Sequence, residues 1–427
     1  MLSKLIKEKI LNNDYNDIFV DLYGKDSAEI QKKRYINAID EFEKNYGEDR
    51  EISIYSAPGR TEISGNHTDH NCGLIVAAAI SEDTICVVSK NKDNNIKIAS
   101  EGYDEIQPVN LEKLRATVSD EGTTRGLVKG ICAGIIKKGG VCGGLDIYVT
   151  SDVLKGSGLS SSAAFENAVA VSINCEYNND KFSAVEIALI GQYAENEYFG
   201  KPCGVMDQTI SAVGGTICLD LEDLSNPKTE QLPLDLDKFG LTLFAVDSRA
   251  SHDDLTEEYA GMPNDMKKIA AIFMKDSLRR LDLATYINHL SFLRDMAGDR
   301  AVIRGMHFFM ECKRVEDLCI AVANGDKDTF LKKITESGHS SYEYLQNAYV
   351  STNTDSQPMA IALSVAQSYL QDIGGAWRLQ GGGFAGTIQC FVPTEKIDEF
   401  VKYMEIVLGE GCCKKITLRE KGAIKAI

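Results

Sequence analysis

Long apolar runs are missing from this 427-residue chain. None approaches 18 residues, so nothing in it is expected to span a membrane. The first residues, MLSKLIKEKILNNDYND, hold no apolar stretch of the kind a secretory leader needs. The 12 cysteines form no CxxC and no other paired-ligand spacing, and only Cys412 and Cys413 are adjacent. That usage fits a reduced compartment, and a cytoplasmic location is expected. Positive charge is scarce as well. With 46 Lys and Arg against 63 Asp and Glu the formal net charge is −17, which argues against a nucleic-acid backbone or an anionic membrane surface as partner. Proline is sparse at 8, and no repeat or low-complexity segment occurs. What remains is an ordinary globular composition, 44% hydrophobic and 26% charged, with length for two or three domains.

Patterning supplies the rest. LSKLIKEKIL and EIQKKRYINAIDEFEKNYG space apolar residues as amphipathic helices do. EISIYSAPGR alternates like a strand and is expected to stop at Pro58-Gly59. LIVAAAI, DTICVVSK and NIKIAS read as separate strand-like runs, followed by a helical TRGLVKGICAGIIKKGG and the strand GLDIYVTSD. Helices are expected at SAAFENAVAVSINCEYN and SAVEIALIGQYAENEYFG. Beyond residue 215 come strands at TICLDL and LTLFAVDS, a mostly helical stretch over 265–350, and a final return to alternation. Without a regular βαβ rhythm, the pattern predicts an α+β fold in two halves, 1–220 and 221–427.

Four clusters could carry chemistry. GSGLSSSAA, residues 156–164, puts two glycines and three serines before a helix. It is either a capped loop or a phosphate cradle, since a helix N-terminus offers free amides and partial positive charge. It is not a Walker A loop, because no Gly-Lys-Ser/Thr closes it. SAPGRTEISGNHTDHNCG, residues 56–73, gathers Arg60, His67, Asp69 and His70. No further His or Cys cluster supports a metal there, and a loop binding a polyhydroxylated ligand suits these groups better than zinc does. AENEYFGKPCGVMDQTISAVGG carries Glu195 and Asp207 on either side of a Gly-Lys-Pro turn, which could bring both carboxylates to one pocket. RLQGGGFAGTIQCFV sets three glycines between strand-like segments, as where backbone approaches a ligand closely.

In this order and spacing the clusters resemble the GHMP family of small-molecule kinases, and within it the galactokinase branch. APGR followed by HTD is similar to the galactokinase signature, SDVLKGSGLSSSAA to the phosphate loop, PCGVMDQ to the catalytic segment and GGGFAG to the third motif. HDDLTEEY, residues 252–259, is similar to the branch's sugar-contacting segment. The resemblance implies a two-domain fold with its site in the cleft. It also implies an ATP- and Mg²⁺-dependent transfer to the 1-hydroxyl of a sugar, with galactose favoured. By resemblance, ATP would contact Gly156, Ser157, Gly158, Leu159, Ser160, Ser161 and Ser162, and Mg²⁺ would be held by Ser161 or Ser162 with Glu195. Asp207 matches the catalytic carboxylate and Arg60 the arginine facing it. Asn66, His67, Asp69, Gly204 and Tyr259 match sugar contacts. Small molecules, a sugar and a nucleotide, are the implied partners.

The chain also departs from the pattern. The family's GEHTDY reads GNHTDH, with Asn66 for Glu and His70 for Tyr; VNLI reads Thr61-Glu62-Ile63-Ser64; Lys155 stands where Pro or Gly is commoner. The lost Glu would contact the hydroxyl on carbon 6 of the sugar. Either Asn66 keeps that hydrogen bond, or carbon 6 is a carboxylate, as in galacturonate. A Glu about 4 Å from such a carboxylate would cost roughly 4 kcal/mol at an effective dielectric near 20. Plant galacturonate kinases resemble this chain in that loss and in reading His-x-Asp-His. A non-catalytic sugar and ATP sensor is a third alternative, set against an intact Ser160–Ala164 run with Arg60, Glu195 and Asp207 all present.

Overall fold

The computed structural model describes residues 1–103, 106–153, 158–250 and 255–427. In chain order its strands are β1 (Ser53–Ser64), β2 (Leu74–Lys90), β3 (Asn95–Ser100), β4 (Val109–Asn110), β5 (Leu145–Ser151), β6 (Thr216–Asp220), β7 (Lys228–Leu232), β8 (Leu241–Ala250), β9 (Ala376–Leu379), β10 (Gly386–Pro393), β11 (Cys413–Ile416) and β12 (Ile424–Lys425). Helices α1 (Ser3–Leu11), α2 (Asn16–Tyr23) and α3 (Ala28–Tyr46) come first. Then follow α4 (Thr124–Lys137), α5 (Ser161–Asn178), α6 (Ala184–Ala194) and α7 (Met206–Val213). The later part of the chain adds α8 (Thr256–Ile272), α9 (Leu283–Asn288), α10 (Leu290–Ala297), α11 (Asp299–Ala323), α12 (Lys327–Ser340), α13 (Pro358–Leu370) and α14 (Ile397–Leu408).

The larger sheet runs β12-β1-β2-β5-β3-β4, with β6 and β7 continuing from the other part of β2; the smaller runs β11-β8-β10-β9. Period-2 patterning gives the larger sheet two apolar faces. Ile54, Ile85, Val87 and Tyr148 meet Phe19, Tyr35, Ile39 and Phe42 of the N-terminal helices. Ala77, Cys86, Ile147 and Val149 meet α4 to α7 through residues such as Val128, Ile131, Ala168, Ile190 and Ile210. A third cluster joins the two sheets, with Ile63, Val76, Ile80 and Leu159 packed on Leu243, Leu318, Phe330 and Phe391. No helix among the described residues is long and apolar enough to cross a membrane.

Two expectations about strands are corrected. β1 does not stop at Pro58-Gly59 but continues to Ser64, because a register shift between Pro58 and Arg60 absorbs the proline. Gly59 is required there, since a Cβ would come within 2.7 Å of the Leu159 carbonyl. LIVAAAI and DTICVVSK form one continuous strand, β2. The polar break at Ser81–Asp83 stays extended because Ser81 N–H donates to the Thr417 carbonyl at 2.9 Å and Asp83 is bound by two arginines. The chain's last strand pairs with β1, so the larger sheet holds residues from both ends of the sequence.

Candidate active site

Strand β1 carries Arg60 into contact with α7 and with the glycine-serine segment. Arg60 is buried; its Nε and Nη2 both lie 2.8 Å from Asp207 Oδ1, and Nη1 donates to the Gly158 carbonyl. Asp207 stands in the first turn of α7, and its other oxygen accepts from Ser160 Oγ. Arg60 N–H donates to the Leu159 carbonyl at 3.0 Å, while the Leu159 side chain belongs to the shared core. Gly158 and Ser160 take left-handed backbone angles, φ 72° and 63°, which turn the chain into α5. Ser161 and Ser162 open that 18-residue helix, and their hydroxyls make no hydrogen bond among the described residues. Gly156 and Ser157, expected nucleotide contacts, lie outside the described residues, as does Lys155.

The triple glycine gathers Asn66, His67 and Tyr259. The Gly381 carbonyl accepts from Asn66 Nδ2 at 2.7 Å, Gly382 from His67 Nε2 at 2.9 Å and Gly383 from Tyr259 Oη at 2.9 Å. A carbonyl can only accept, so His67 carries its proton on Nε2 and leaves Nδ1 as an acceptor. Burial lowers the His67 pKa, consistent with a neutral ring. Burial raises the Tyr259 hydroxyl to about 12, so it remains a donor. Two of the three glycines are sterically needed. A Cβ on Gly382 would reach Tyr259 Cε1 at 2.6 Å, and one on Gly383 would strike the Asn347 carbonyl. Asp69 lies in a short 3-10 turn, and Gly204 packs so closely on its carboxylate that a Cβ would collide with Oδ2.

Asn66 is engaged differently from what its position suggests. It is fully buried, and its amide donates to Gly381 O and to Glu62 Oε1 at 3.0 Å. Its Oδ1 accepts from Asn347 Nδ2 at 2.9 Å and Ser341 Oγ at 3.3 Å. These four bonds use the whole hydrogen-bonding capacity of the side chain. Its backbone carbonyl accepts from His307 Nε2 at 2.8 Å, so His307 Nδ1 accepts from Ser340 Oγ at 2.9 Å. Behind this, buried Glu311 takes Gly65 N–H at 2.8 Å, Ser337 Oγ at 2.5 Å and Arg314 Nε at 2.7 Å.

His307 is buried and its pKa is lowered from 6.5 to about 4, desolvation being the main cause. The folded state therefore holds it neutral where the unfolded chain begins to protonate. Its contribution is complete above about 6.5 and lost as pH falls toward 4, on the order of 3 kcal/mol over that window. His307→Gln is expected to flatten that part of the stability profile, as read by urea denaturation at pH 7 and pH 4.5. An unchanged slope would mean that other groups govern it.

α6 runs on into a π turn, Glu195–Phe199, which brings Glu195 beside the PCGVMDQ segment. Gln208 Nε2 donates to Glu195 Oε2 at 2.8 Å and to Glu166 Oε2 at 3.0 Å, while Lys201 Nζ lies 3.3 Å from Glu195 Oε1. Burial pushes the Glu166 carboxyl well above the usual carboxylate range, and Glu195 beside it adds to the shift. No group of three or more His, Cys, Asp or Glu among the described residues could hold a metal. Serine hydroxyls and one carboxylate are nonetheless hard oxygen donors. That set suits Mg²⁺, which takes few protein ligands and completes its shell with phosphate oxygens and water. A cavity of about 790 Å³ between α3, β3, residues 100–103, Ile106 and Pro108 shares no residue with this site.

Two family models match the chain. GHMP kinases N terminal domain covers residues 126–215, and Galactokinase galactose-binding signature covers residues 40–90. A galactokinase from Mannheimia succiniciproducens is 30% identical over 386 residues, 89% of this chain and 94% of that protein. The chain belongs to the GHMP kinases, in their galactokinase branch. A galactokinase from Streptomyces coelicolor is likewise 30% identical, over 85% of this chain and 90% of its own length. The Lactococcus lactis galactokinase, solved in complex with galactose, superposes with a TM-score of 0.78 over 90% of this chain and 98% of its own, at 20% identity. The α+β expectation and the family expectation are both met. The galactokinase signature read from sequence did not include Glu62, Arg378, His307, Glu311, Asn347, Gln208 or Glu166. Glu62, Gln208 and Arg378 stand inside the quoted clusters without having been given a role, and Glu166 follows the glycine-serine segment, whereas His307, Glu311 and Asn347 carry no motif of their own.

Proposed function

We propose that this GHMP kinase is a galactokinase, transferring the γ-phosphoryl group of ATP to the 1-hydroxyl of galactose. The observation that supports it most is the Arg60–Asp207–Ser160 group, set where the phosphate-loop helix meets the signature strand. In this reading Asp207 accepts the proton of the attacking hydroxyl. Arg60 fixes the carboxylate through Oδ1 and offsets negative charge as the phosphoryl group passes. The start of α5, with Ser161 and Ser162, receives the nucleotide's phosphates. A Mg²⁺ held by one of these serines and Glu195 would neutralise charge on the β- and γ-phosphates. His67 Nδ1, Asp69 and Tyr259 are the sugar-binding set. A uronate kinase was an alternative because position 66 lacks a carboxylate. Glu62 supplies a carboxylate 3.0 Å from the Asn66 amide, and galactose is favoured accordingly.

ADP release with Mg-ATP and equal concentrations of galactose, galacturonate, N-acetylgalactosamine, glucose or arabinose tests the reading. Galactose should be the best substrate, and ADP formation with none of them would overturn it. Two variants should divide the site. Gly204→Ala, by crowding Asp69, should raise KM for galactose roughly tenfold and leave KM for ATP unchanged, the effect of about 1.4 kcal/mol. Ser161→Ala/Ser162→Ala should do the reverse, and an unchanged KM for ATP would remove those serines from the nucleotide site.

A further inference from the structure

We propose that Glu62 is the carboxylate by which the signature strand discriminates between neutral and anionic sugars; the proposal rests on the sugar-kinase reading above. Relative to the motif, the carboxylate and the amide have changed places. VNLI has Asn where this chain has Glu62, and the motif's Glu is Asn66. The two exchanged side chains touch, Asn66 Nδ2 donating to Glu62 Oε1 at 3.0 Å.

The surroundings make that shift consequential. Glu62 is 3% exposed, and its Oε1 also accepts from Arg378 Nη2 at 2.6 Å. Arg378 is wholly buried; Nη1 donates to the Glu62 carbonyl at 3.0 Å and Nε has no partner. Glu62 therefore offsets a guanidinium that water does not reach. Its second oxygen, Oε2, takes no hydrogen bond among the described residues and is not among the buried atoms lacking a partner. One carboxylate oxygen is thus committed to Arg378 and Asn66, and the other is left to accept from a hydroxyl. Asn66 has no such capacity left. A carboxylate on the sugar would meet Glu62 as a like charge. With Glu62 made neutral, the same sugar would meet an Arg378 without its partner.

The test compares kcat/KM for galactose and galacturonate in the wild type, Glu62→Gln, Asn66→Glu and the double exchange Glu62→Asn/Asn66→Glu. The wild type should prefer galactose at least tenfold. Glu62→Gln should lower kcat/KM for galactose at least tenfold and raise the galacturonate-to-galactose ratio by a similar factor. Asn66→Glu, which sets two carboxylates side by side, should lose galactose turnover, and the double exchange should recover it to within about threefold of the wild type. A Glu62→Gln enzyme with an unchanged sugar ratio would make Glu62 only a structural partner of Arg378 and overturn the assignment. If Glu62→Gln does not fold, the wild-type preference and the double exchange still decide. A wild type preferring galacturonate, or a double exchange no better than Asn66→Glu, overturns the assignment. ADP formation with neither sugar overturns the kinase reading itself, a result distinct from turnover with an unaltered ratio.

Discussion

Replacing Asp207 with Asn is expected to lower kcat about a thousandfold or more while leaving the fold intact. The substitution is nearly isosteric, and the local partners can adapt to it. An amide oxygen can take the place of Oδ1 and accept from Arg60, while the amide NH₂ can donate to a rotated Ser160 hydroxyl. What disappears is the capacity to take a proton, together with the negative charge that holds Arg60. A positioned general base contributes on the order of 10²- to 10⁴-fold, and losing the charge opposite Arg60 adds to that. The measurement is steady-state ADP release beside a thermal denaturation curve. A large fall in kcat with both KM values and the melting temperature near wild type assigns the loss to chemistry. Activity above about a tenth of wild type would remove Asp207 from the proton-transfer step.

How much of this was legible in the sequence depends on how local each signal was. The N-terminal helices, the α5 start and the strands around GGGFAG announced themselves through spacing and glycine within a few residues. The strand break expected at Pro58 was a local rule overridden by tertiary packing, since Gly59 against Leu159 holds the extended path. Asn66 shows the same limit at the site. Its identity was plain, but its partners Ser341, Asn347 and Gly381 lie 275, 281 and 315 residues away. From sequence the side chain looked available to a sugar, and in the fold every valence is already taken. The carboxylate at Glu62 was visible as a letter, yet its significance depended on its distance from Asn66 and on the buried Arg378.

The second large effect is expected from Asp83→Asn, and it falls on stability. Asp83 is wholly buried in β2 and joins four segments of the chain. Oδ1 accepts from Arg34 Nη1 of α3 at 2.6 Å. Oδ2 accepts from Tyr23 Oη of α2 at 2.6 Å, Arg419 Nη1 of the C-terminal tail at 3.1 Å and Ser56 Oγ of β1. Desolvation alone would raise its pKa, but Arg34 and Arg419, followed by the two hydroxyls, more than offset it and hold the carboxyl below its usual range. The sign of the pH dependence follows. The contribution is complete above the unfolded value, about 3.9, and is lost as pH falls through the lower folded value. At neutral pH the Asn variant leaves two guanidiniums without their shared anion. Breaking a buried pair on one side costs about 3–5 kcal/mol, or roughly 3–6 °C in melting temperature for a chain of this size. Since Asp83 has no contact with Asp207 or its partners, kcat measured well below the transition should stay within about twofold of wild type. A melting temperature unchanged at pH 7 would mean that the N-terminal helices and the C-terminal tail are held by the apolar contacts of Phe19, Tyr35 and Ile54 alone. A loss equal at pH 3 and pH 7 would separate the effect from the carboxylate's charge.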